Sequence, residues 1–146
     1  MDTSTNSEAL RSIAIRVELS SGNIEPLLHE IRHALELLLS AGTSTTIDLK
    51  SIPLAPGEED RILQTLGRGE VNATLSTFGT SDLVETAFPG VWIVTHHDAR
   101  GGVRARFIEV TRVPEILCAQ PPDVTDGLAR LTASLSANSL PAAGDR

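Results

Sequence analysis

An α+β fold is predicted by three features of the chain. An early segment carries Ile24, Leu27, Leu28, Ile31, Leu35 and Leu38 at steps of three and four, the stripe of an amphipathic helix. The middle carries residues that alternate apolar and polar, the period-two pattern of half-buried strands. After a proline-rich exit, Val124, Leu128, Leu131 and Leu135 again fall on one helical face. The expected architecture is a mainly antiparallel sheet of about five to six strands, with about two to three helices packed on one face.

The elements follow in order. Ile13, Ile15, Val17 and Leu19 alternate with polar residues and read as a first strand. Ser20 to Asn23 breaks it, and Asn23 is placed to cap the helix that follows, which Ala41-Gly42 ends. Thr46–Leu49 reads as a short strand. Pro53 and Pro56 interrupt the chain, and Glu58, Glu59 and Asp60 then suit the first turn of a second helix, because carboxylates oppose its dipole. Ile62, Leu63 and Leu66 form its apolar side and Gly67 its end. Val71, Ala73 and Leu75 open the run of strands, Leu83–Phe88 continues it, and Pro89-Gly90 is a turn. Val91–Thr95 and Val103–Thr111 flank His97–Gly102, a hairpin loop. Pro114, Pro121 and Pro122 punctuate the exit, and Asp123 suits the cap of the last helix. Residues 1–10 read as a flexible lead-in, 11–136 as one domain and 137–146 as a disordered tail.

Composition narrows the function. The 146 residues suit one domain with a sizeable core, and aromatics are only 3%, so that core rests on Leu, Ile, Val and Ala. A formal charge of -7 argues against nucleic acid or an anionic membrane as partner, because neutralising phosphates needs a basic excess. Met1 to Ser7 lacks the basic and apolar regions of a signal peptide, and no apolar stretch is long enough to insert into a bilayer, so a cytoplasmic protein is expected. One cysteine, Cys118, rules out an intrachain disulfide framework or a Cys-rich metal site. It is expected to be a buried or half-buried thiol.

The most conspicuous motif is His29-Glu30-Ile31-Arg32-His33, the H-E-x-x-H of zinc peptidases. Histidines four apart on a helix can hold one metal while the glutamate acts as base, and this gives an alternative reading as a small zinc-dependent hydrolase. The site needs a third ligand. Glu58 or Glu59, or an imidazole from His96 or His97, are the choices, but the glutamates already suit a helix start and the two histidines should point to opposite sheet faces. The plainer reading is a solvated helix face. Glu25 stands four before His29 and Arg32 four before Glu36, so ordinary i,i+4 pairing accounts for it. No Gly-rich phosphate loop or G-x-S-x-G is present. Arg104, Arg106 and Arg112 read as a local binding or ion-pair surface.

Three segments carry a more specific resemblance: Leu28 to Leu35 (LHEIRHAL), Glu85 to Trp92 (ETAFPGVW) and Ile108 to Leu117 (IEVTRVPEIL). Together with Ile47-Asp48-Leu49, Ile52-Pro53-Leu54, Gly69-Glu70-Val71 and Asp126 to Leu131, they resemble the C-terminal domain of the HupH/HyaF hydrogenase expression/formation proteins, over about residues 24–135. The resemblance implies a non-enzymatic accessory protein of [NiFe]-hydrogenase maturation that needs no cofactor. Its implied partners are an immature hydrogenase subunit, chiefly the iron–sulfur small subunit, and other maturation proteins. A homodimer is compatible with it. Larger family members carry further sequence ahead of this domain, so the chain reads as a short member. The expected contacts are Glu85, Phe88, Pro89, Trp92, Glu109, Arg112, Pro114 and Glu115, set around a proline-stiffened turn whose aromatics either anchor a partner or plug the core.

Overall fold

The computed structural model of the protein describes residues 20–137, so the strand expected at Ile13–Leu19 and both chain ends lie outside the described residues. In order come α1 (Ile24–Ala41), β1 (Thr45–Asp48), a 3-10 turn (Leu49–Ser51), α2 (Glu58–Leu66), β2 (Asn72–Ser76), β3 (Thr80–Glu85), β4 (Val91–His97) and β5 (Val103–Val110). A second 3-10 turn (Glu115–Leu117) and α3 (Pro121–Ser136) follow. The fold is α+β. The chain divides into two compact units, 1–112 and 113–146.

In the first unit the five described strands form one antiparallel sheet in the order β1-β5-β4-β3-β2. Strands β2 to β5 are a meander, and β1 pairs with the outer side of β5. The register sets Val84, Ile93, Ile108 and Ile47 in a row on one face, with Val91 and Val110 beside them. Leu27, Ile31 and Ala34 of α1 and Ile62 and Leu66 of α2 pack against that row to form the core. At about 1.5–3 kcal/mol per fully buried large apolar side chain, this layer is a principal stabilising contribution of the unit. The opposite face buries Leu83, Trp92 and Val94. Strand β4 is therefore covered on both sides, which explains its uninterrupted run Val91-Trp92-Ile93-Val94 where the outer strands alternate.

Several local expectations meet a different outcome. Gly42 and Gly67 do end their helices with positive φ, each amide bonding back to the preceding turn. Asn23 does occupy the N-cap of α1, but its side chain makes no cap bond; Nδ2 donates instead to the Pro53 carbonyl at 2.8 Å. Asp123 is not the cap of α3: Pro121 and Pro122 open that helix, where missing N–H groups cost nothing, and Gln120 precedes them. Strand β3 starts at Thr80 and ends at Glu85, because Thr86 to Gly90 is consumed by the turn. Glu58, Glu59 and Asp60 do fill the first turn of α2, and Glu58 is in addition buried. In the second unit, α3 carries no buried residue.

Candidate functional site

The Glu85–Trp92 turn is built by the ends of β3 and β4. Thr86 is buried, and its amide donates to the Val91 carbonyl at 2.9 Å while its hydroxyl lies 3.1 Å from both the Phe88 amide and the Phe88 carbonyl. The Val91 amide closes the turn on the Phe88 carbonyl at 3.0 Å. Gly90 has φ +92, a left-handed conformation, and lies against Leu35 and Leu38 of α1 at ordinary contact distance. That backbone conformation favours glycine. The turn is then tied outward: Ala87 N–H to the Leu66 carbonyl, and the Gly90 carbonyl to the Thr111 amide, each at 2.9 Å. Its backbone is thus fixed from several directions.

On this rigid turn the two aromatics have different environments. Phe88 is 49% exposed and Pro89 is exposed beside it. Trp92 is buried, and its indole N–H donates to the Thr111 carbonyl at 3.2 Å. Trp92 lies in the cross-strand row Glu85, Trp92, Glu109. Glu85 is half-buried and its carboxylate accepts from the Glu70 and Val71 amides, both at 3.3 Å. Glu109 is half-buried and Arg112 is exposed just past β5. Phe88, Pro89 and Arg112 are therefore exposed in the first unit, with Glu85, Trp92 and Glu109 more covered. Pro114 and Glu115 belong to the second unit, where Pro114 is buried and Glu115 is exposed in the 3-10 turn.

A pocket of about 290 Å³ opens on the helix-covered face of the sheet. Its floor includes Leu63, Val84 and Ile93, and its polar wall is Asp82, His97 and Arg106. His97 Nε2 lies 3.1 Å from Asp82 Oδ2, and Nδ1 lies 3.3 Å from the Gly101 carbonyl. The Thr74 hydroxyl donates to the other Asp82 oxygen at 2.9 Å. Arg106 donates to Thr95 Oγ1 at 3.1 Å and to Glu59 Oε1 at 3.0 Å, and Lys50 Nζ lies 3.9 Å from Glu59. With both ring nitrogens engaged, His97 joins three strands and the hairpin loop, rather than presenting a free base. Strand parity hinted at this: neighbouring His96 and His97 do face opposite ways, His96 lying 2.7 Å from the Ser81 hydroxyl. The partner Asp82 could not be named without the β3–β4 register.

The H-E-x-x-H face is solvated. His29 lies 3.7 Å from Glu25 and His33 3.6 Å from Glu36, and both imidazoles are more than half exposed. Arg32 bonds Glu36 at 2.9 Å. Neither Glu58 nor Glu59 is available as a third ligand. Glu58 accepts from the amide and hydroxyl of Ser21 and from the Ala55 amide, and Glu59 holds Arg106. Among the described residues no group of three His, Cys, Asp or Glu is placed to hold a metal. The Glu58 carboxyl is held below the ordinary carboxylate range, first by the Ser21 hydroxyl and then by the Ser21 amide, against burial, which pushes it up. Cys118 is exposed rather than buried, its sulfur 3.8 Å from the Pro114 carbonyl.

The family signal runs through all of these features. Residues 22–138 match the family model of the HupH hydrogenase expression protein, C-terminal conserved region. The chain belongs to this family. Among HupH-type relatives, the hydrogenase expression/formation protein HoxQ of Azotobacter vinelandii is 30% identical over 121 residues, covering 78% of this chain and 42% of HoxQ. HupH of Rhizobium leguminosarum bv. viciae is 28% identical over 109 residues, 75% of this chain and 39% of that protein. The chain thus spans about two fifths of these curated relatives. A solved structure, the hydrogenase expression protein HupH from Thiobacillus denitrificans ATCC 25259, is 46% identical with a TM-score of 0.76, over 80% of this chain and 97% of that one.

Proposed function

We propose that this chain is a non-enzymatic accessory protein of [NiFe]-hydrogenase maturation, acting in the cytoplasm as a chaperone for an immature subunit, the iron–sulfur small subunit first among them. The observation that carries the reading is membership of the HupH C-terminal family, whose relatives are named hydrogenase expression/formation proteins. Two structural facts support it. No helix among the described residues is long and apolar enough to cross a membrane. The rigid turn also holds a half-exposed Phe88 next to Pro89, and a pre-ordered aromatic anchors a partner with little further loss of entropy. Phe88, Pro89 and Arg112 are the proposed contacts, with Glu85, Trp92 and Glu109 holding them in place.

The test is affinity capture with the tagged chain from cells making a [NiFe] hydrogenase, with and without oxygen. Recovery of the small subunit is the expected result, and recovery of a different hydrogenase subunit would change the client but keep the role. Capture of no hydrogenase subunit or maturation factor in either condition refutes the role. Arg112→Ala is expected to melt within about 2 °C of wild type, since exposed positions seldom move stability by more than about 0.5 kcal/mol. It should nonetheless lower hydrogenase maturation, and full maturation with Arg112→Ala would count against this surface.

A further inference from the structure

Three observations meet at the end of the sheet where the β2–β3 and β4–β5 hairpins turn. The first is Phe78, fully exposed at the tip of the β2–β3 hairpin. A single exposed apolar residue is ordinary, but this tip is held in shape. The Thr77 amide donates to the Gly79 carbonyl at 2.9 Å, and a Cβ on Gly79 would come within 2.5 Å of the His97 carbonyl oxygen, so the tip packs directly on β4. A pocket of about 280 Å³ opens beside it, with Ser81, His96, Arg104 and Ala105 in its lining. Ser81, His96 and Ala105 form one cross-strand row on the sheet face away from α1 and α2. The second observation is the fixed His96 ring. Its Nδ1 lies 2.7 Å from the Ser81 hydroxyl, and the ring meets Phe107 edge-on with centroids 5.8 Å apart. Nε2 has no partner among the described residues. The third is charge. The chain holds 19 acidic against 12 basic residues, yet no carboxylate lines this pocket. Its one permanent charge is Arg104, which has no hydrogen-bond or ion-pair partner among the described residues.

We propose that this pocket binds one carboxylate carried on a planar apolar group, with Arg104 and His96 Nε2 on the carboxylate and the Phe78 ring against the group. The lining selects this chemistry. With the Ser81 hydroxyl donating to Nδ1, the imidazole proton sits on Nε2, and the uncommitted polar atoms of Arg104 and His96 are then all donors. A guanidinium fork matches a carboxylate in two parallel bonds. One uncompensated cation in a chain of formal charge -7 balances a monoanion, and leaves a phosphate dianion with excess negative charge. Phe78 and Ala105 supply apolar surface for the rest of the ligand. At about 30 Å³ per water, the volume equals roughly nine waters, the size of a benzoate-like molecule. The site is distinct from the aromatic turn. Phe78 precedes β3 and Phe88 follows it, and a six-residue strand spans about 20 Å. The carboxylate has two possible sources, a free small acid or the carboxyl end of a peptide with an aromatic last residue.

The test is a titration of the full chain with benzoate, followed residue by residue through the amide resonances in nuclear magnetic resonance spectra. Saturable shifts are expected at Phe78, Gly79, His96 and Arg104, with half-saturation at roughly 0.1–2 mM for so small and open a site. Benzamide, which keeps the ring and lacks the charge, should bind at least about tenfold more weakly, and so should inorganic phosphate. Arg104→Gln and Phe78→Ala should each weaken benzoate by about tenfold or more while the melting curve stays unchanged, because both side chains already face water. N-acetylphenylalanine stands in for the carboxyl end of a peptide, and whichever of it and benzoate binds more tightly identifies the source. Absence of saturable shifts up to about 20 mM of either acid, equal binding of benzamide, tighter binding of phosphate, or an Arg104→Gln chain that binds like wild type would each overturn the proposal. Should a variant fail to fold, the four probes on the wild-type chain still decide the matter. None of these readouts depends on the hydrogenase role.

Discussion

Trp92→Ala separates the two duties of the aromatic turn. Trp92 retains only 4% of its surface and donates its indole N–H to the Thr111 carbonyl. Truncating a buried tryptophan costs about 3–5 kcal/mol through lost burial and the residual cavity, and the hydrogen bond adds about 1 kcal/mol. Against a domain stability of about 5–15 kcal/mol, that removes a large share, and for a chain of this size it corresponds to a fall in melting temperature of roughly 10–20 °C. Phe88 is the internal control, because it is half exposed and its turn is held by Thr86 rather than by its ring. Phe88→Ala should cost about 1–2 kcal/mol and leave a cooperative transition. The assay is thermal and urea unfolding of the three proteins side by side, followed by client capture with the folded ones. A Trp92→Ala protein that melts within about 2 °C of wild type would refute the claim that the ring supports the turn from inside. A Phe88→Ala protein with undiminished capture would remove Phe88 from the proposed contact surface.

Three further outcomes are expected. Glu58→Gln should flatten the acid limb of the stability profile: the lowered carboxyl contributes fully above the unfolded glutamate value of about 4.3 and loses its contribution as pH falls through the folded value. The wild-type and Glu58→Gln curves, measured by urea unfolding from neutral to acid pH, should therefore converge toward low pH, and parallel curves would contradict this. Gly90→Ala should destabilise by about 1–3 kcal/mol, since a side chain at φ +92 is strained; a melting curve that matches wild type would show that the turn relaxes. His29→Ala with His33→Ala should leave stability within about 0.5 kcal/mol, because both imidazoles are mostly exposed. Elemental analysis of that pair against wild type provides the second check, and stoichiometric zinc lost in the variant would restore the hydrolase reading.

Local periodicity made much of the architecture legible. The stripe from Ile24 to Leu38 is the helix that covers the sheet, and the alternation in Val103–Val110 is a strand with Ile108 and Val110 facing in. What the sequence left open depends on partners remote along the chain. Asn23 looked like a cap because caps are local, but its amide is drawn to Pro53, thirty residues away. Glu58 and Glu59 looked alike, yet one is buried on Ser21 and the other paired with Arg106. Phe88 and Trp92 could not be ranked, since the unbroken apolar run of β4 gives no parity to distinguish an inner face from an outer one. The last helix shows a related limit: its stripe announces that something apolar should cover it without saying what.

The strand order has a consequence for synthesis. Among the described strands β1 pairs only with β5, Thr45 meeting Val110 at the far end of the first unit. The α1 stripe likewise rests on Val91, Ile93, Ile108 and Val110. A ribosome making this chain from its N-terminus thus releases a greasy helix and a strand well before the surface that receives them. Closing that long loop must wait for the β2–β5 meander, which can assemble hairpin by hairpin. During that interval Leu27, Ile31 and Ile47 have no native cover, and slowing translation between β1 and β5 should lower soluble yield more than slowing it after β5.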